Sequence, residues 1–171
     1  MEMPEKYKVL IITLSDRAYK GEYGDESGPR IIKLLSDWFE SEGFEFEFRQ
    51  VLIPDDSVIL ENNFRNAGKI YDLVFTTGGT GIGPRDITVD TIKPLLNKEI
   101  PGIMEFIRVK YGAEIPGALL SRSIAGITGK AIVYTLPGSV KAVNEYMTEI
   151  LRTLKHTICM QYGIDTHHRH Q

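Results

Sequence analysis

The sequence has one cysteine, one tryptophan, no long hydrophobic run and no dense cluster of basic residues. A lone cysteine, Cys159, cannot form a disulfide within the chain, which is typical of proteins from a reducing compartment. Its apolar helical surroundings predict a buried thiol rather than a nucleophile. The first apolar run, residues 7–14, is too short to cross a bilayer, and no cleavage pattern of small residues follows it. We therefore expect a cytoplasmic protein with no membrane partner.

An excess of charge of one sign is also missing. Twenty Lys and Arg residues stand against 23 Asp and Glu residues, which gives a formal net charge of −3. Nucleic-acid binding depends on a concentrated basic surface, so we expect no nucleic-acid partner. Hydrophobic residues make up 42% of the 171 residues, which is enough for one sizeable core. We expect a single domain over residues 1–171, with residues 163–171 forming a disordered tail.

Four short segments have the composition of β-strands. Residues 7–14 are almost wholly apolar, as expected of a central strand that is buried on both faces. Residues 44–51 alternate apolar and polar side chains, which predicts an outer strand. Residues 71–77 and 131–136 are further short apolar runs. Each of the first three strands is followed by a polar or glycine-rich loop.

Helical periodicity separates these strands. Predicted helices run from about Ile31 to a stop at Gly43, from the 54–57 turn to a stop at Gly68, from a Thr88 cap through Leu96, over residues 100–112, and from Ser139 along residues 143–158. Alternating strands and helices favour a three-layer α/β/α Rossmann-like domain with a mostly parallel sheet.

The segment FTTGGTGIGPRD, residues 75–86, contains four glycines directly after a predicted strand. Glycine lets backbone N–H groups approach an anion closely, and a following helix N-terminus adds a favourable dipole. The loop is not a Walker motif, because no Lys-Ser or Lys-Thr pair follows Gly83, and its glycine spacing does not fit the dinucleotide fingerprint. We predict a phosphate site; a tight turn without a ligand is the alternative.

Other polar loops also follow predicted strands. Ser15 and Asp16 follow the first strand, residues 54–56 follow the second, and residues 137–139 follow the last. Because the carboxyl ends of parallel strands lie at one edge of a sheet, these loops and the glycine loop should form one pocket.

Five segments occur in the form and order in which they occur in molybdopterin adenylyltransferases, a family that includes a bacterial enzyme and a domain of gephyrin. They are TLSDRAYKGEYGDESG, LIPDD, TTGGTGIGPRDIT, LLSRSIAGITGK and LPGSVKAV. The chain resembles this family from about residue 7 to residue 156. The Ser-Asp-Arg-Ala segment at residues 15–18 is similar to the adenylyltransferase branch rather than to a sister branch with Ser-Asp-Thr. The sequence departs from the family at Gly83, where alanine is usual, and at Val89, where proline is common.

The resemblance implies a molybdopterin-binding fold and a homotrimer, for which residues 100–112 or 121–128 could supply apolar contacts. It also implies an enzyme that uses Mg²⁺ and ATP to attach AMP to the terminal phosphate of molybdopterin, with release of pyrophosphate. A partner enzyme would then insert molybdate. Two alternatives stay open: hydrolysis of nucleotide pyrophosphates, as in related domains, and molybdopterin binding without turnover.

Asp55 and Asp86 match the family's two functional aspartates, and their carboxylates suit Mg²⁺, so we predict that both are catalytic and metal-binding. Either could instead cap a helix. Arg85 could contact phosphate, pair with Asp86 or lie in solvent. The spacing of His167, His168 and His170 suits no closed metal site. The predicted ligand-binding residues are Ser15, Asp16, Thr77, Gly78, Gly79, Thr80, Gly81, Ser121, Arg122, Ser123, Pro137, Gly138 and Ser139.

Overall fold

A computed structural model describes residues 3–164 of the chain. Its six-stranded sheet has the order β2-β1-β3-β6-β5-β4. The first four strands in that order are parallel, whereas β5 pairs antiparallel with both β6 and β4. The strands are β1 (Lys6–Leu14), β2 (Glu45–Ile53), β3 (Leu73–Thr77), β4 (Lys98–Glu99), β5 (Ala125–Thr128) and β6 (Ala131–Leu136).

Seven α-helices cover the two faces of this sheet. They are α1 (Asp16–Tyr19), α2 (Ser27–Glu42), α3 (Ser57–Phe64), α4 (Ala67–Ile70), α5 (Thr88–Ile92), α6 (Pro101–Gly112) and α7 (Val140–Gln161), with short 3₁₀ turns at Lys93–Leu95 and Pro116–Leu120. These seven α-helices are the ones found within residues 3–164. The three-layer, mostly parallel architecture predicted from the sequence is confirmed.

Strand β1 shows why the sheet is buried on both faces. Tyr7, Val9 and Ile11 pack into one apolar cluster with helices α2, α6 and α7, whereas Leu10 and Ile12 pack into a second cluster on the opposite face with α3 and α4. Side chains alternate across a strand, so an unbroken apolar run supplies both cores. Strand β2, which alternates polar and apolar residues, lies at the sheet edge as predicted.

Several helix ends follow the sequence signals. Gly43 ends α2 in the left-handed conformation, with φ of 70°. The hydroxyl of Ser139 caps α7 by accepting a hydrogen bond from the Ala142 N–H group at 3.2 Å. Helix α7 ends at Gln161, and just beyond it the Ile164 N–H group donates to the Cys159 carbonyl at 2.8 Å. Cys159 is buried, as predicted.

Two predicted helix boundaries are wrong. Thr88 does not cap α5; it is the first residue of that helix, and its hydroxyl donates to the Gly78 carbonyl at 2.8 Å. Gly68 does not end a helix but lies inside α4, where a Cβ would meet the Thr128 carbonyl oxygen at 2.3 Å. Glycine is required there by close backbone packing, which a local pattern does not reveal.

The sequence analysis also missed strands β4 and β5. Both are short, and β5 forms a hairpin with β6 through Gly129, which has φ of 55°. The Gly129-Lys130 pair between two apolar runs was the available hairpin signal. No helix within residues 3–164 is long and apolar enough to cross a membrane. Most of the predicted tail, with its three histidines, lies outside the described residues.

Candidate functional site

The loops that follow β1, β2, β3 and β6 meet at the carboxyl edge of the sheet. The Ser15 N–H group after β1 donates to the Ile53 carbonyl of β2 at 3.0 Å, and the Gly78 N–H group after β3 donates to the Leu136 carbonyl of β6 at 3.0 Å. The hydroxyl of Thr77 donates to the Pro137 carbonyl at 2.9 Å. The four loops therefore form one continuous rim, as the sequence predicts.

Reciprocal hydrogen bonds between Asp16 and Asp55 join two of these loops. The Asp16 N–H group donates to Oδ2 of Asp55 at 3.2 Å, and the Asp55 N–H group donates to Oδ1 of Asp16 at 2.9 Å. The cap of helix α3 is the next residue, Asp56, whose carboxylate accepts the Val58 and Ile59 N–H groups at 2.9 Å each. The capping role that stayed open for Asp55 therefore belongs to Asp56.

The glycine loop adopts a conformation that requires two of its glycines. Gly78 and Gly79 have φ of 100° and 66°, and a Cβ on Gly78 would lie 2.2 Å from the Leu14 carbonyl oxygen. The carbonyls of Gly79 and Thr80 accept hydrogen bonds from the Thr88 and Arg122 N–H groups at 3.0 and 2.8 Å. These carbonyls are thus already used within the protein.

Several backbone N–H groups of the same loop remain available to a ligand. Among the residues that the structure describes, the N–H groups of Gly79, Thr80 and Gly81 have no hydrogen-bond acceptor. All three residues line the main cavity of the site. Consecutive free amide donors at the rim of a cavity are suited to bind the oxygens of an anion.

The carboxylate of Asp86 lies against this loop. Its Oδ2 accepts the Gly83 N–H group at 2.8 Å, and a Cβ added to Gly81 would lie 2.7 Å from the same oxygen. The N-cap residue of helix α5 is Ile87, so Asp86 does not have the capping role either. Burial raises the pKa of Asp55 above its usual range, and the nearby negative charge of Asp86 raises this pKa further.

Arg85 lies between the acidic residues of the site. Its guanidinium forms an ion pair with Asp16 and lies 3.6 Å from the Asp55 carboxylate. The sequence left its partner open between phosphate, Asp86 and solvent, and the structure instead gives it Asp16 and Asp55. Its side chain is 63% exposed, so this pair is readily broken by a competing ligand.

The site is a groove made of adjoining cavities. The main cavity, of about 490 Å³, lies between the glycine loop, the 3₁₀ turn Pro116–Leu120 and the start of α7. A smaller one, of about 220 Å³, contains Asp16, Asp55 and Arg85 and shares Gly79 and Asp86 with the first. A third, of about 200 Å³, contains Ser15 and shares Gly138 and Ser139 with the main cavity. The groove thus joins the carboxylates to a space large enough for a fused heterocycle.

The three residues at 121–123 have different surroundings. Ser121 lines the main cavity, where its hydroxyl accepts a hydrogen bond from the Tyr146 hydroxyl at 2.9 Å. Ser123 is buried, with its hydroxyl 3.0 Å from that of Ser121. The guanidinium of Arg122 points behind the glycine loop, onto the carbonyls of Gly81 and Asp86. Thr77 is likewise buried, whereas Pro137, Gly138 and Ser139 line the groove.

Sequence reasoning missed one wall of the main cavity. Lys141, Glu145 and Tyr146 reach it from the first turns of α7, and Ile115 and Leu120 from the opposite side. The signal in the sequence was the spacing of Lys141 and Glu145, which places both on one helix face just after the Ser139 cap. Ile115 and Leu120 carried no signal, because they lie in an irregular segment before and at the end of a 3₁₀ turn.

The acidic end of the groove has too few carboxylates to hold a magnesium ion without further ligands from a phosphate and water. Within residues 3–164 no group of three His, Cys, Asp or Glu side chains is placed to hold a metal. Mg²⁺ is commonly held by one or two carboxylates, with water and substrate phosphates as the other ligands. Asp55 and Asp86 beside free loop amides match that arrangement, so these two residues would hold the ion together with a phosphate.

The fold and the groove define an α/β domain whose loops at the carboxyl ends of the strands are suited to a phosphorylated ligand. Residues 10–156 match the family described as "Probable molybdopterin binding domain", and the chain belongs to that family.

Relatives with known names cover most of the chain. A molybdopterin adenylyltransferase of Pyrococcus furiosus is 40% identical over 165 residues, which span 91% of this chain and 94% of that protein. Gephyrin of Dictyostelium discoideum is 37% identical over 90% of this chain, but the match spans only 22% of gephyrin. The crystal structure of the molybdopterin biosynthesis enzyme MoaB from Thermus thermophilus superposes with a TM-score of 0.81 at 32% identity, covering 92% of this chain and 97% of that one.

Proposed function

We propose that this protein is a molybdopterin adenylyltransferase, which uses Mg²⁺ and ATP to transfer AMP to the terminal phosphate of molybdopterin. The observation that carries the proposal is the position of free loop amides and two carboxylates at one end of a groove whose other end is a large cavity. The relatives named molybdopterin adenylyltransferase support the choice of substrates.

The reaction places few chemical demands on the protein. An oxygen of the pterin phosphate forms a bond to the α-phosphorus of ATP, while the bond from that phosphorus to the bridging oxygen breaks and pyrophosphate leaves. The attacking oxygen is already anionic, so the main barrier is the approach and alignment of negatively charged groups. Catalysis would therefore depend on positioning and on neutralising charge.

The groove supplies both requirements. The free N–H groups of Gly79, Thr80 and Gly81 would bind phosphate oxygens, and this contact strengthens as charge develops in the transition state. Asp55 and Asp86 would hold Mg²⁺, which when bound neutralises part of the phosphate charge. Arg85 would leave its partners Asp16 and Asp55 and become available to a phosphate.

The main cavity suits a pterin ring. Ile115 and Leu120 offer apolar surface, whereas Ser121 and Tyr146 offer hydroxyls and Lys141 offers an ammonium group. A fused heterocycle has apolar faces and a polar edge with hydrogen-bonding groups, so this mixture of walls matches its chemistry. The placement of the pterin beside the glycine loop would bring its phosphate to the nucleotide.

The assembly and the next step in the pathway complete the proposal. Helix α6 leaves Phe106 50% and Val109 69% exposed, and this apolar surface would be covered in a homotrimer. Light scattering tests the assembly, and a monomer mass at micromolar concentrations would contradict it. A second enzyme, which inserts molybdate, would use the adenylated pterin as its substrate. The cytoplasmic location of the protein stays a prediction.

Incubation with ATP, Mg²⁺ and molybdopterin tests the function. We expect adenylated molybdopterin and pyrophosphate in equal amounts. Release of AMP from dinucleotides without the pterin would instead indicate a pyrophosphate hydrolase. Bound but unchanged pterin after long incubation would indicate a binding protein without turnover.

A further inference from the structure

Arg122 lies on the side of the glycine loop away from the main cavity. Its Nε–H group donates to the Gly81 carbonyl at 2.8 Å, and one terminal nitrogen donates to the Asp86 carbonyl at 2.9 Å. Both terminal nitrogens also donate to the carboxylate of Asp90, at 2.8 and 2.9 Å. The guanidinium thus joins the two ends of the 81–86 turn and fastens them to helix α5.

The backbone of the same residue makes a further contact with the loop. The Arg122 N–H group donates to the Thr80 carbonyl at 2.8 Å, so one residue binds three carbonyls of the loop. With the Thr80 carbonyl held on the rear side, the N–H group of the same planar peptide unit, which belongs to Gly81, stays free at the cavity rim. The glycines themselves supply no side-chain packing that could keep this turn in one conformation.

The geometry depends on the shape of the arginine side chain. A guanidinium is planar and has five N–H donors in fixed directions, so it can contact two carbonyls and a carboxylate at once. A lysine ammonium keeps the charge, but it is a compact group that does not span such separated acceptors. The Asp90 side chain is 68% exposed, so its ion pair alone adds little to stability and mainly fixes the plane of the guanidinium.

We propose that Arg122 is a positioning residue, which holds the 81–86 turn in its ligand-binding conformation and directs the Asp86 carboxylate into the groove. This role replaces the direct contact with a ligand that the sequence analysis predicted for Arg122. The inference rests on the proposed function for its consequence in catalysis, although the state of the loop can be measured without any reaction.

Hydrogen exchange of the ligand-free, full-length protein tests the loop directly. In Arg122→Lys we expect the hydrogen-bonded amides of Gly83, Asp86 and Thr88 to exchange about tenfold faster, because loss of charge-assisted hydrogen bonds makes local opening easier. The amides of β3 and β6 should exchange as in the wild type. Arg122→Ala, if it folds, should show a larger change in the same amides.

A matched control is available in the same part of the molecule. Arg108 also donates to backbone carbonyls, those of Ser121 and Ser123, at 3.5 and 2.9 Å, but its carbonyl partners are outside the glycine loop. Arg108→Lys should leave exchange of the loop amides unchanged. Titration calorimetry with Mg·ATP should give an affinity about tenfold weaker for Arg122→Lys and unchanged for Arg108→Lys.

Each outcome decides the proposal. Normal loop exchange and normal ATP affinity in Arg122→Lys would overturn it, because charge alone would then be sufficient. Faster exchange over the whole chain would also overturn it, because Arg122 would then act through global stability. Faster loop exchange in a protein that never adenylates molybdopterin would support the positioning role while contradicting the proposed function.

Discussion

Aspartates at opposite ends of the same sheet differ in how fully their carboxylates are bonded. At the amino end Asp72 precedes β3 and is 3% exposed. Its carboxylate accepts hydrogen bonds from the Lys8 N–H group at 2.8 Å, the Lys130 ammonium at 2.9 Å and the Tyr162 hydroxyl at 3.0 Å. This aspartate joins β1, the turn before β6 and the end of α7, so the protein's own groups account for its carboxylate.

At the carboxyl end Asp55 and Asp86 have few partners. Asp86 accepts one loop amide, and Asp55 accepts one amide and lies near an exposed arginine. Each carboxylate has lone pairs left for a ligand, and the two negative charges repel each other. The comparison indicates what distinguishes a structural carboxylate from a ligand-binding one. The number of hydrogen bonds that the carboxylate accepts from the protein matters, and burial alone does not decide its role.

The largest expected effect is on stability, from Asp72→Ala. Loss of three hydrogen bonds to a buried carboxylate should lower the free energy of unfolding by about 3 kcal/mol. Urea unfolding measures this loss, and adenylylation per folded molecule should stay near the wild-type rate. As a control, Glu47→Ala, which removes an exposed partner of Lys6, should leave the free energy of unfolding nearly unchanged. Equal losses of stability in Asp72→Ala and Glu47→Ala would contradict the structural role of Asp72.

Asp55→Ala and Asp86→Ala should change turnover instead. We expect each to lower the adenylylation rate by roughly 10²-fold, the order found when a preorganised electrostatic contact is removed. Binding of molybdopterin should be affected much less than the rate. The neighbouring Asp56→Ala is the matched control: it removes the α3 cap, so it should cost about 1 kcal/mol of stability with nearly normal turnover. Normal rates in the first two variants would refute their catalytic assignment.

Two glycine variants should show whether ligand binding depends on the backbone conformation of the loop or only on the space beside it. Gly79→Ala places a Cβ 2.5 Å from the Thr88 hydroxyl at φ of 66°, so we expect about tenfold weaker binding of Mg·ATP. Gly83→Ala meets only the Asp86 carboxylate, at 3.0 Å and without a positive φ, so binding should change by less than about twofold. Titration calorimetry compares the two. Equal affinities would argue against a phosphate role for the loop amides.

The smallest expected effect is a gain in stability from Asp55→Asn. The pKa of Asp55 is raised in the folded protein, so the folded state binds this proton more tightly than the unfolded state does. The ionised group therefore destabilises the fold at neutral pH, and this cost disappears as the pH falls through the raised pKa. We expect Asp55→Asn to raise the melting temperature by about 1 to 3 °C at pH 7 and to have no effect well below that pKa. A lower melting temperature at pH 7 would contradict the argument that burial and the charge of Asp86 make ionised Asp55 destabilising.

The four longest strands and several helix ends were predictable because their causes are local. The apolar run of β1, the alternation in β2, the stop at Gly43 and the cap at Ser139 each depend on neighbouring residues alone. The predicted convergence of the loops also followed from local strands, because parallel strands bring their carboxyl ends to one edge. Errors arose where distant backbone set the requirement, as at Gly68 against Thr128 and at Thr88 against Gly78.

The sequence by itself determined the layered fold, the glycine loop and the presence of acidic residues at the strand ends, because periodicity and backbone freedom act over a few residues. Only the tertiary structure decided which polar groups face the groove. Asp56 rather than Asp55 caps α3, and the Arg122 guanidinium turns behind the loop to reach Asp90, 32 residues away. Such directions depend on contacts between segments that are distant in the chain, and these contacts exist only once the sheet has brought the loops together.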